Sequence, residues 1–194
     1  MRIVVIGATG TIGAALADAL AADHDVVRAS RRGAIRVDLA DPGSIRALFT
    51  TVGNVDGVIA VAGSGRLAGV ANSSDEEYFT GLDSKYLGQI HLVRQAAQLV
   101  NDGGFVTITS GVVPSAEAGL SFAAAVNSGL DGFVPAAAVE MPRGIRVNAV
   151  SPGWISETLE SMGRDGSAGT PVSKVVASYL ALIDGRTTGQ VIRP

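Results

Sequence analysis

The stretch that decides the fold is "MRIVVIGATGTIG", Met1–Gly13, at the start of the chain. Its first part, "RIVVIG", is a short run rich in β-branched residues that ends in glycine, which is typical of a buried strand. Ile12, Leu16 and Leu20 then recur at the spacing of one helical face. The opening therefore predicts a strand, a tight turn and a helix, in that order.

The turn between this strand and helix contains three glycines at short intervals. Backbone amides and the positive N-terminus of the helix can hold a pyrophosphate there, because no bulky side chain stands in the way. A glycine-rich turn without a ligand is the alternative interpretation of such a turn taken alone. We predict that a dinucleotide binds at Gly7, Thr9, Gly10, Thr11, Ile12 and Gly13.

Further strand and helix patterns alternate along the rest of the chain. Such alternation implies parallel strands joined by right-handed crossovers. The predicted strands are "DVVRAS", "AIRVDL", "DGVIAVAG", "GGFVTITS", "GIRVNAV" and "TGQVIRP". We predict an α/β fold of the Rossmann type, with a doubly wound parallel sheet of about seven strands between helices in a three-layer α/β/α sandwich. Residues 1–194 are expected to form a single NAD(P)-binding domain.

Several helix boundaries can be read from capping residues. A long helix is predicted from about Ser74 to Leu99, because Ser73 with Glu76 and Ser74 with Glu77 both fit a capping box. A later long helix, "GLSFAAAVNSGLDGFVPAAAVEM", contains Pro135, which is expected to kink it or to remove one hydrogen bond. Thr170 is the expected N-cap of the last helix.

The composition limits the possible functions. The chain has 194 residues, 47% of them hydrophobic, with a net charge of -3 and no cysteine. The acidic balance and the lack of a basic cluster beyond Ser30–Arg32 argue against nucleic acid or an anionic membrane as a partner. The longest uncharged runs contain polar residues and are predicted to be too short to span a membrane. We expect a cytoplasmic protein with a small-molecule substrate and no metal site.

The end of the second predicted strand indicates which dinucleotide is bound. An NAD site usually has an acidic residue there, whereas this chain has Ser30, Arg31 and Arg32. An arginine can donate two parallel charge-assisted hydrogen bonds to the 2'-phosphate of NADP. The alternative is a solvated basic turn. We predict that NADP(H) is favoured over NAD(H).

Together these motifs resemble the short-chain dehydrogenase/reductase family over nearly the whole chain. The similar segments are "GATGTIG", "VDLAD", "DGVIAVAG", "VTITS" and "RGIRVNAVSPGWISET". The resemblance implies an adenine contact at Asp38 and Leu39 and a nicotinamide contact at Pro152, Gly153 and Ile155. It also adds Ala62 and Gly63 to the residues expected to contact the cofactor.

The active site departs from the pattern of the family it resembles. That family uses a Tyr as the general acid, a Lys four residues later, a Ser on a preceding strand and an Asn on the preceding helix. Ser110 matches the Ser, but the Tyr and Lys positions fall on Ala123 and Asn127, and the Asn position falls on Lys85. Neither Ala123 nor Asn127 can titrate. The chain is similar to an atypical subgroup that lacks the usual Tyr and Lys.

Two functions from different classes remain open on the sequence. The first is an NADPH-dependent oxidoreductase acting on a small carbonyl or alcohol, with Lys85, Ser110 or water as the altered acid and Asn127 in the same pocket. The second is an NADP-binding protein without hydride transfer, either a sensor or a non-redox enzyme such as a cyclase or isomerase. A homodimer or homotetramer is expected, because the two long helices are where related proteins pair.

Several other polar or aromatic residues are predicted to have structural functions or to lie at the surface. Tyr86 is expected in the core or an interface, His91 at an interface or the surface, and Trp154 either in the pocket wall or in the core. The residues expected in solvated loops or turns are Glu117, Arg164, Asp165 and His24.

Overall fold

A computed structural model describes residues 1–63, 65–113 and 117–194 of the chain. Its centre is a parallel sheet of seven strands in the order β3-β2-β1-β4-β5-β6-β7. This order confirms the predicted Rossmann-type doubly wound sheet. The strands are β1 (Arg2–Ile6), β2 (Asp25–Ser30), β3 (Ile35–Arg36), β4 (Val55–Ala60), β5 (Val100–Thr109), β6 (Arg146–Val150) and β7 (Val191–Ile192).

Helices cover both faces of the sheet and produce the predicted three layers. Helices α1 and α7 pack on one face, and α2, α4 and α5 pack on the other, each over its own cluster of buried apolar side chains. The helices are α1 (Thr11–Leu20), α2 (Pro42–Val52), α3 (Asp75–Tyr78), α4 (Gly88–Leu99), α5 (Ser121–Glu140), α6 (Ser156–Ser161) and α7 (Val172–Asp184). A short 3-10 helix, Gly166–Ala168, follows α6.

The predicted long helix from Ser74 to Leu99 is divided into three pieces. The Ser74–Glu77 capping box begins α3 as expected, but α3 ends at Tyr78. Gly81 then adopts a φ of +98°, which favours glycine and ends a right-handed helix. The chain continues as a π-helical turn, Leu82–Leu87, before α4 begins. The prediction of one continuous helix was therefore wrong. The capping box is present, but the left-handed backbone of Gly81 interrupts the helix.

One other helix boundary differs from expectation, whereas the effect of Pro135 agrees with it. Helix α7 begins at Val172 after Pro171, and Thr170 does not cap it. The carboxylate of Glu157 instead accepts hydrogen bonds from the Val172 N–H at 3.0 and 3.1 Å. Helix α5 continues through Pro135, so the proline removes one backbone donor without ending the helix.

Helix α5, Ser121–Glu140, lies within the predicted stretch 119–141 and is strongly apolar. By length and composition alone it is the one helix among the described residues that could cross a membrane, although Asp131 and Glu140 interrupt its apolar sequence. Its buried face, which includes Val126, Leu130 and Val134, belongs to the core cluster under the sheet. A helix packed into a core in this way is weak evidence for a membrane span.

Candidate functional site

A cavity of about 390 Å³ lies at the carboxyl ends of β1 and β2. This is the edge where open parallel sheets bind ligands, at the point where the strand order reverses. Ten residues predicted to bind the cofactor line it: Gly7, Thr9, Gly10, Ser30, Arg31, Arg32, Asp38, Leu39, Ala62 and Gly63. The predicted Thr11 and Gly13 are not among the described lining residues.

Gly13 has a structural function behind the cavity. A Cβ atom at this position would lie 2.1 Å from the backbone oxygen of Gly7 and 2.9 Å from the Val61 side chain. No residue larger than glycine fits there without moving backbone. This close approach brings the N-terminus of α1, whose N-cap is Gly10, against the end of β1. Free helical N–H groups therefore face the cavity.

The end of β2 presents unused polar groups to the same cavity. Ser30 is buried, and its Oγ has no hydrogen-bond partner among the described residues. Arg31 and Arg32 are exposed, and neither forms an ion pair with a carboxylate that the structure describes. Asp38 Oδ1 accepts a hydrogen bond from the Ala40 N–H at 3.0 Å, so it is used within its own turn.

A larger cavity of about 710 Å³ adjoins the first one. The two share Val61, Ala62 and Gly63 in their walls, so they form one continuous cleft across the sheet edge. The cavity brings together residues predicted for the nicotinamide and the chemistry: Ile12, Lys85, Ser110, Ala123, Asn127, Pro152, Gly153 and Ile155.

Lys85 lies in the π-helical turn, half-buried in the wall of the larger cavity. Its alkyl chain lies over Gly63, where an added Cβ would be 3.1 Å from Lys85 Cγ and Cδ. Burial lowers the pKa of the Lys85 ammonium. No carboxylate in the described parts of the chain lies within ion-pairing distance of it.

Gln89, which the sequence analysis missed, holds the π-helical turn against the sheet. Its Nε2 donates to the carbonyl oxygens of Lys85 at 2.8 Å and Thr109 at 2.9 Å. Its Oε1 accepts from the Thr109 N–H at 2.8 Å. Gln89 is fully buried and couples the backbone of Lys85 to the residue before Ser110. The signal was available, because Gln89 lies four residues after Lys85 and therefore on the same helical face.

Asn127 and Ala123 line the larger cavity from α5. Asn127 is only 6% exposed, and its Oδ1 has no hydrogen-bond partner among the described residues. A buried amide oxygen without a partner is costly unless a ligand or water satisfies it. Ala123 provides a methyl group and no proton.

Ser110, at the end of β5, is hydrogen-bonded to a second residue that the sequence analysis missed. Its Oγ donates to Asp131 Oδ1, and Asp131 Oδ2 accepts from Arg193 at 2.8 Å. Asp131 lies four residues after Asn127 on α5, so the same helical face carries both. That spacing was the signal in the sequence. The side chains of Ser110, Asp131 and Arg193 therefore form a chain from the cavity to the surface.

Two loops contact one another beside the larger cavity through Trp154, which lines it. Trp154 lines the cavity, and its Nε1 donates to Glu117 Oε2 at 3.2 Å. Arg164 lies over the Trp154 ring at 5.2 Å and pairs with Glu117 at 3.7 Å. Trp154 is thus a pocket wall, and Glu117 and Arg164 join the two loops instead of being solvated singly. Arg66 also lines this cavity and pairs with Glu77 at 3.1 Å.

The other candidates lie away from the cleft. Tyr86 is half-buried against Gly129 of α5, and His91 lines a separate groove between α2, α4 and α5. Asp165 caps the 3-10 helix through Ser167, which holds the pKa of its carboxyl below the usual range. His24 lies in the turn after α1. Among the described residues, no group of three or more acidic or histidine side chains is placed to hold a metal ion.

Comparison with known proteins connects this cleft to a family. Residues 4–177 match the family model described as enoyl-(acyl carrier protein) reductase. A protein of Methylorubrum extorquens described as an uncharacterized oxidoreductase is 29% identical over 97% of this chain and 94% of its own.

Solved structures that are similar to the chain include two dehydrogenases. The protein lin1944 from Listeria innocua is 31% identical, with a TM-score of 0.93 over 100% of this chain and 98% of its own. A small-chain dehydrogenase in complex with NADPH is 27% identical, with a TM-score of 0.87, and the match covers 100% of this chain and 96% of the other. A short-chain dehydrogenase from Burkholderia cenocepacia in complex with NADP is 25% identical, with a TM-score of 0.85, and the match covers 99% of this chain and 95% of the other. Because the family model matches residues 4–177, the chain belongs to the short-chain dehydrogenase/reductase family of oxidoreductases.

Proposed function

We propose that the protein is an NADPH-dependent oxidoreductase that acts on a small carbonyl compound or alcohol, with Lys85 in place of the usual tyrosine acid. The observation that carries the proposal is the position of Lys85. It is the cation of the larger cavity that has no carboxylate partner among the described residues, and it lies in the same walls as Ser110 and Asn127.

The residues of the cleft fit a nicotinamide dinucleotide. The smaller cavity has free helical N–H groups for a pyrophosphate, and the unpartnered Ser30 Oγ and exposed Arg31 and Arg32 suit a phosphorylated ribose. The unpartnered Asn127 Oδ1 suits a hydroxyl donor in the larger cavity. The NADPH and NADP complexes of the relatives named above support the same assignment. When bound, the cofactor supplies or accepts a hydride.

Lys85 is suited to proton transfer because burial lowers its pKa. A lowered pKa makes the ammonium a better acid and raises the neutral fraction near physiological pH. In the reducing direction the Lys85 Nζ ammonium gives a proton to the substrate oxygen. In the oxidising direction the neutral amine receives the proton of the alcohol. Gln89 fixes the backbone of Lys85 through its carbonyl.

The test is NADPH consumption on a panel of small aldehydes, ketones and hydroxy-ketones, with matching alcohols and NADP⁺ in the reverse direction. Wild type is expected to turn over at least one pair, and Lys85→Met is expected to lose about 10²-fold or more in kcat, the range of general acid catalysis. Lys85→Arg keeps the charge without a titratable proton and should also be slow.

A matched control is Lys174→Met, since Lys174 is a lysine on α7 outside the cleft. It should retain wild-type turnover. Tight NADPH binding without turnover of any member of the panel would contradict the proposal and favour a protein that binds the cofactor without hydride transfer. Equal turnover by Lys85→Met would remove Lys85 as the acid.

We also infer that the protein works in the cytoplasm as a homodimer or homotetramer. Apolar side chains are exposed on the helices of one face, including Leu87, Leu99 and Val139. Val139 on α5 is 88% exposed, which is unusual for a large apolar side chain on a regular helix. Light scattering of the purified protein measures the oligomeric state directly.

A further inference from the structure

The direction of the hydrogen bond between Ser110 and Asp131 determines what the cavity offers to a ligand. Asp131 also accepts from Arg193, and an ionised carboxylate has no proton to donate. The hydroxyl of Ser110 must therefore donate to Asp131. A serine hydroxyl has one proton, so only the lone pairs of Ser110 Oγ remain for the cavity.

This arrangement reverses the function that resemblance alone gives to Ser110. At its position in the family pattern, the serine is expected to donate a hydrogen bond to a carbonyl oxygen. Here Ser110 is only 2% exposed and held at the end of β5, with Asp131 opposite it on α5. The Asp131 side chain is 19% exposed, so water competes little for its oxygens.

We propose that Asp131 is a positioning residue that makes Ser110 a hydrogen-bond acceptor toward the larger cavity, so that the site selects a ligand hydroxyl or N–H over a carbonyl oxygen. The inference rests on the proposed function in taking this cavity as the substrate site.

The opposite hydrogen-bonding character of Lys85 explains why an alcohol is the better ligand. The Lys85 ammonium can only donate, and Ser110 Oγ can only accept. A hydroxyl oxygen can accept from one group while its proton is donated to the other. A carbonyl oxygen can satisfy Lys85 but leaves Ser110 Oγ without a donor. The ligand class is therefore a small alcohol or polyol, or an amine of the same shape.

The absence of cysteine from the chain provides a direct test of the Asp131 contact. Ser110→Cys creates the only thiol in the protein, and the ultraviolet absorbance of its thiolate reports the pKa without any ligand. A carboxylate that accepts the thiol proton disfavours the thiolate. Adding Asp131→Asn should therefore lower the thiol pKa by about one unit or more.

Glu117→Gln in the Ser110→Cys background is the matched control. Glu117 is a carboxylate near the same cavity but bonded to Trp154 and Arg164. Its removal should move the thiol pKa by less than about 0.3 units, because its carboxylate is bonded to Trp154 and Arg164 and forms no hydrogen bond with Ser110. Equal shifts for Asp131→Asn and Glu117→Gln, or no shift for either, would overturn the assigned contact.

The second measurement tests ligand selection on the unmodified site. Cyclohexanol and cyclohexanone have the same ring, and their binding to the cofactor-free chain can be compared by ligand-observed NMR titration. Wild type is expected to bind the alcohol roughly fivefold more tightly, the order expected for one hydrogen bond. Asp131→Asn should abolish or reverse this preference, because its amide N–H can donate to Ser110 Oγ and free the hydroxyl. Ser110→Ala should bind both probes equally.

A wild-type preference for the ketone, equal binding of the two probes, no detectable binding of either, or an unchanged preference in Asp131→Asn would each overturn the proposal. Both measurements are made without cofactor or turnover. Their outcome is therefore separate from that of the NADPH assays, which test the proposed function itself.

Discussion

Replacing Arg31 and Arg32 together by alanine should convert the protein from one that prefers NADPH to one that does not distinguish the two cofactors. Both side chains line the smaller cavity without a described ion-pair partner, so their loss leaves no buried charge unpaired. A hydrogen bond to a charged group contributes about 1.5–3 kcal/mol to binding. Because both arginines are exposed, the contribution of each should lie near the lower limit of that range. Because adjacent residues are not additive, we expect about 1.5–3 kcal/mol in total, or roughly 10- to 150-fold in Kd.

The assay is fluorescence or calorimetric titration with NADPH and NADH at fixed ionic strength. The double variant should lose NADPH affinity by that factor, with the NADH affinity changed by less than about threefold, since NADH lacks the phosphate that the arginines contact. Arg36→Ala is the matched control, an exposed arginine on β3 that does not line the cavity. Wild-type binding of NADH as tight as NADPH, or an equal loss for both cofactors in the double variant, would refute the reasoning.

Three further substitutions test how the cleft is built. Lys85→Met should raise the Tm at neutral pH, because burial lowers the pKa of Lys85 in the folded state and the charged lysine therefore destabilises the fold. Since this cost is lost as pH rises toward 10.5, the ordinary pKa of lysine, thermal melts across pH should show the advantage of the variant disappear. Gln89→Leu should cost about 2–4 kcal/mol in urea unfolding, because it leaves the buried N–H and carbonyl of Thr109 without their side-chain partner; an unchanged midpoint would contradict that account. Gly13→Ala should lower the free energy of unfolding by about 1–3 kcal/mol and abolish NADPH binding, since its Cβ would lie 2.1 Å from the backbone oxygen of Gly7. Gly10→Ala is the control: its Cβ would lie 3.5 Å from the nearest atom, so its stability in the same melts should not change.

The sheet could be predicted from sequence because its signals are local and repeated. Each β-branched run bounded by turn residues became a strand, and the crossover rule then gives parallel pairing and the doubly wound order. The helix predicted over 74–99 could not be resolved in the same way. Its capping box and apolar spacing are correct, but the stop depends on the φ of Gly81, and glycine within a helical pattern is compatible with continuation or termination.

In the site too, residues that depend on local sequence could be predicted, and contacts that depend on tertiary packing could not. The residues predicted for the smaller cavity stand at or just after the carboxyl ends of β1, β2, β3 and β4, and most of them line it in the structure. The contacts of Ser110 and Gln89 join elements that are distant in the chain, between α5 and β5 and between α4 and β5. Spacing of four residues places Asp131 beside Asn127 on a helix, but only the packing of that helix on the sheet shows that Ser110 lies opposite.

By resemblance, the Tyr and Lys positions of the family fall on Ala123 and Asn127 of α5, and the same helix carries the charged residue Asp131. Asp131, one turn beyond Asn127, accepts the proton of Ser110, and Lys85 is the lysine that lines the same cavity among the described residues. The usual site places a donor serine and an acidic tyrosine around a carbonyl oxygen. This one places an acceptor serine and a lysine there instead. Ala123→Tyr with Asn127→Lys alone would therefore leave Ser110 an acceptor, and we expect this variant to exceed the wild-type rate of NADPH-dependent carbonyl reduction only when Asp131 is also replaced by asparagine.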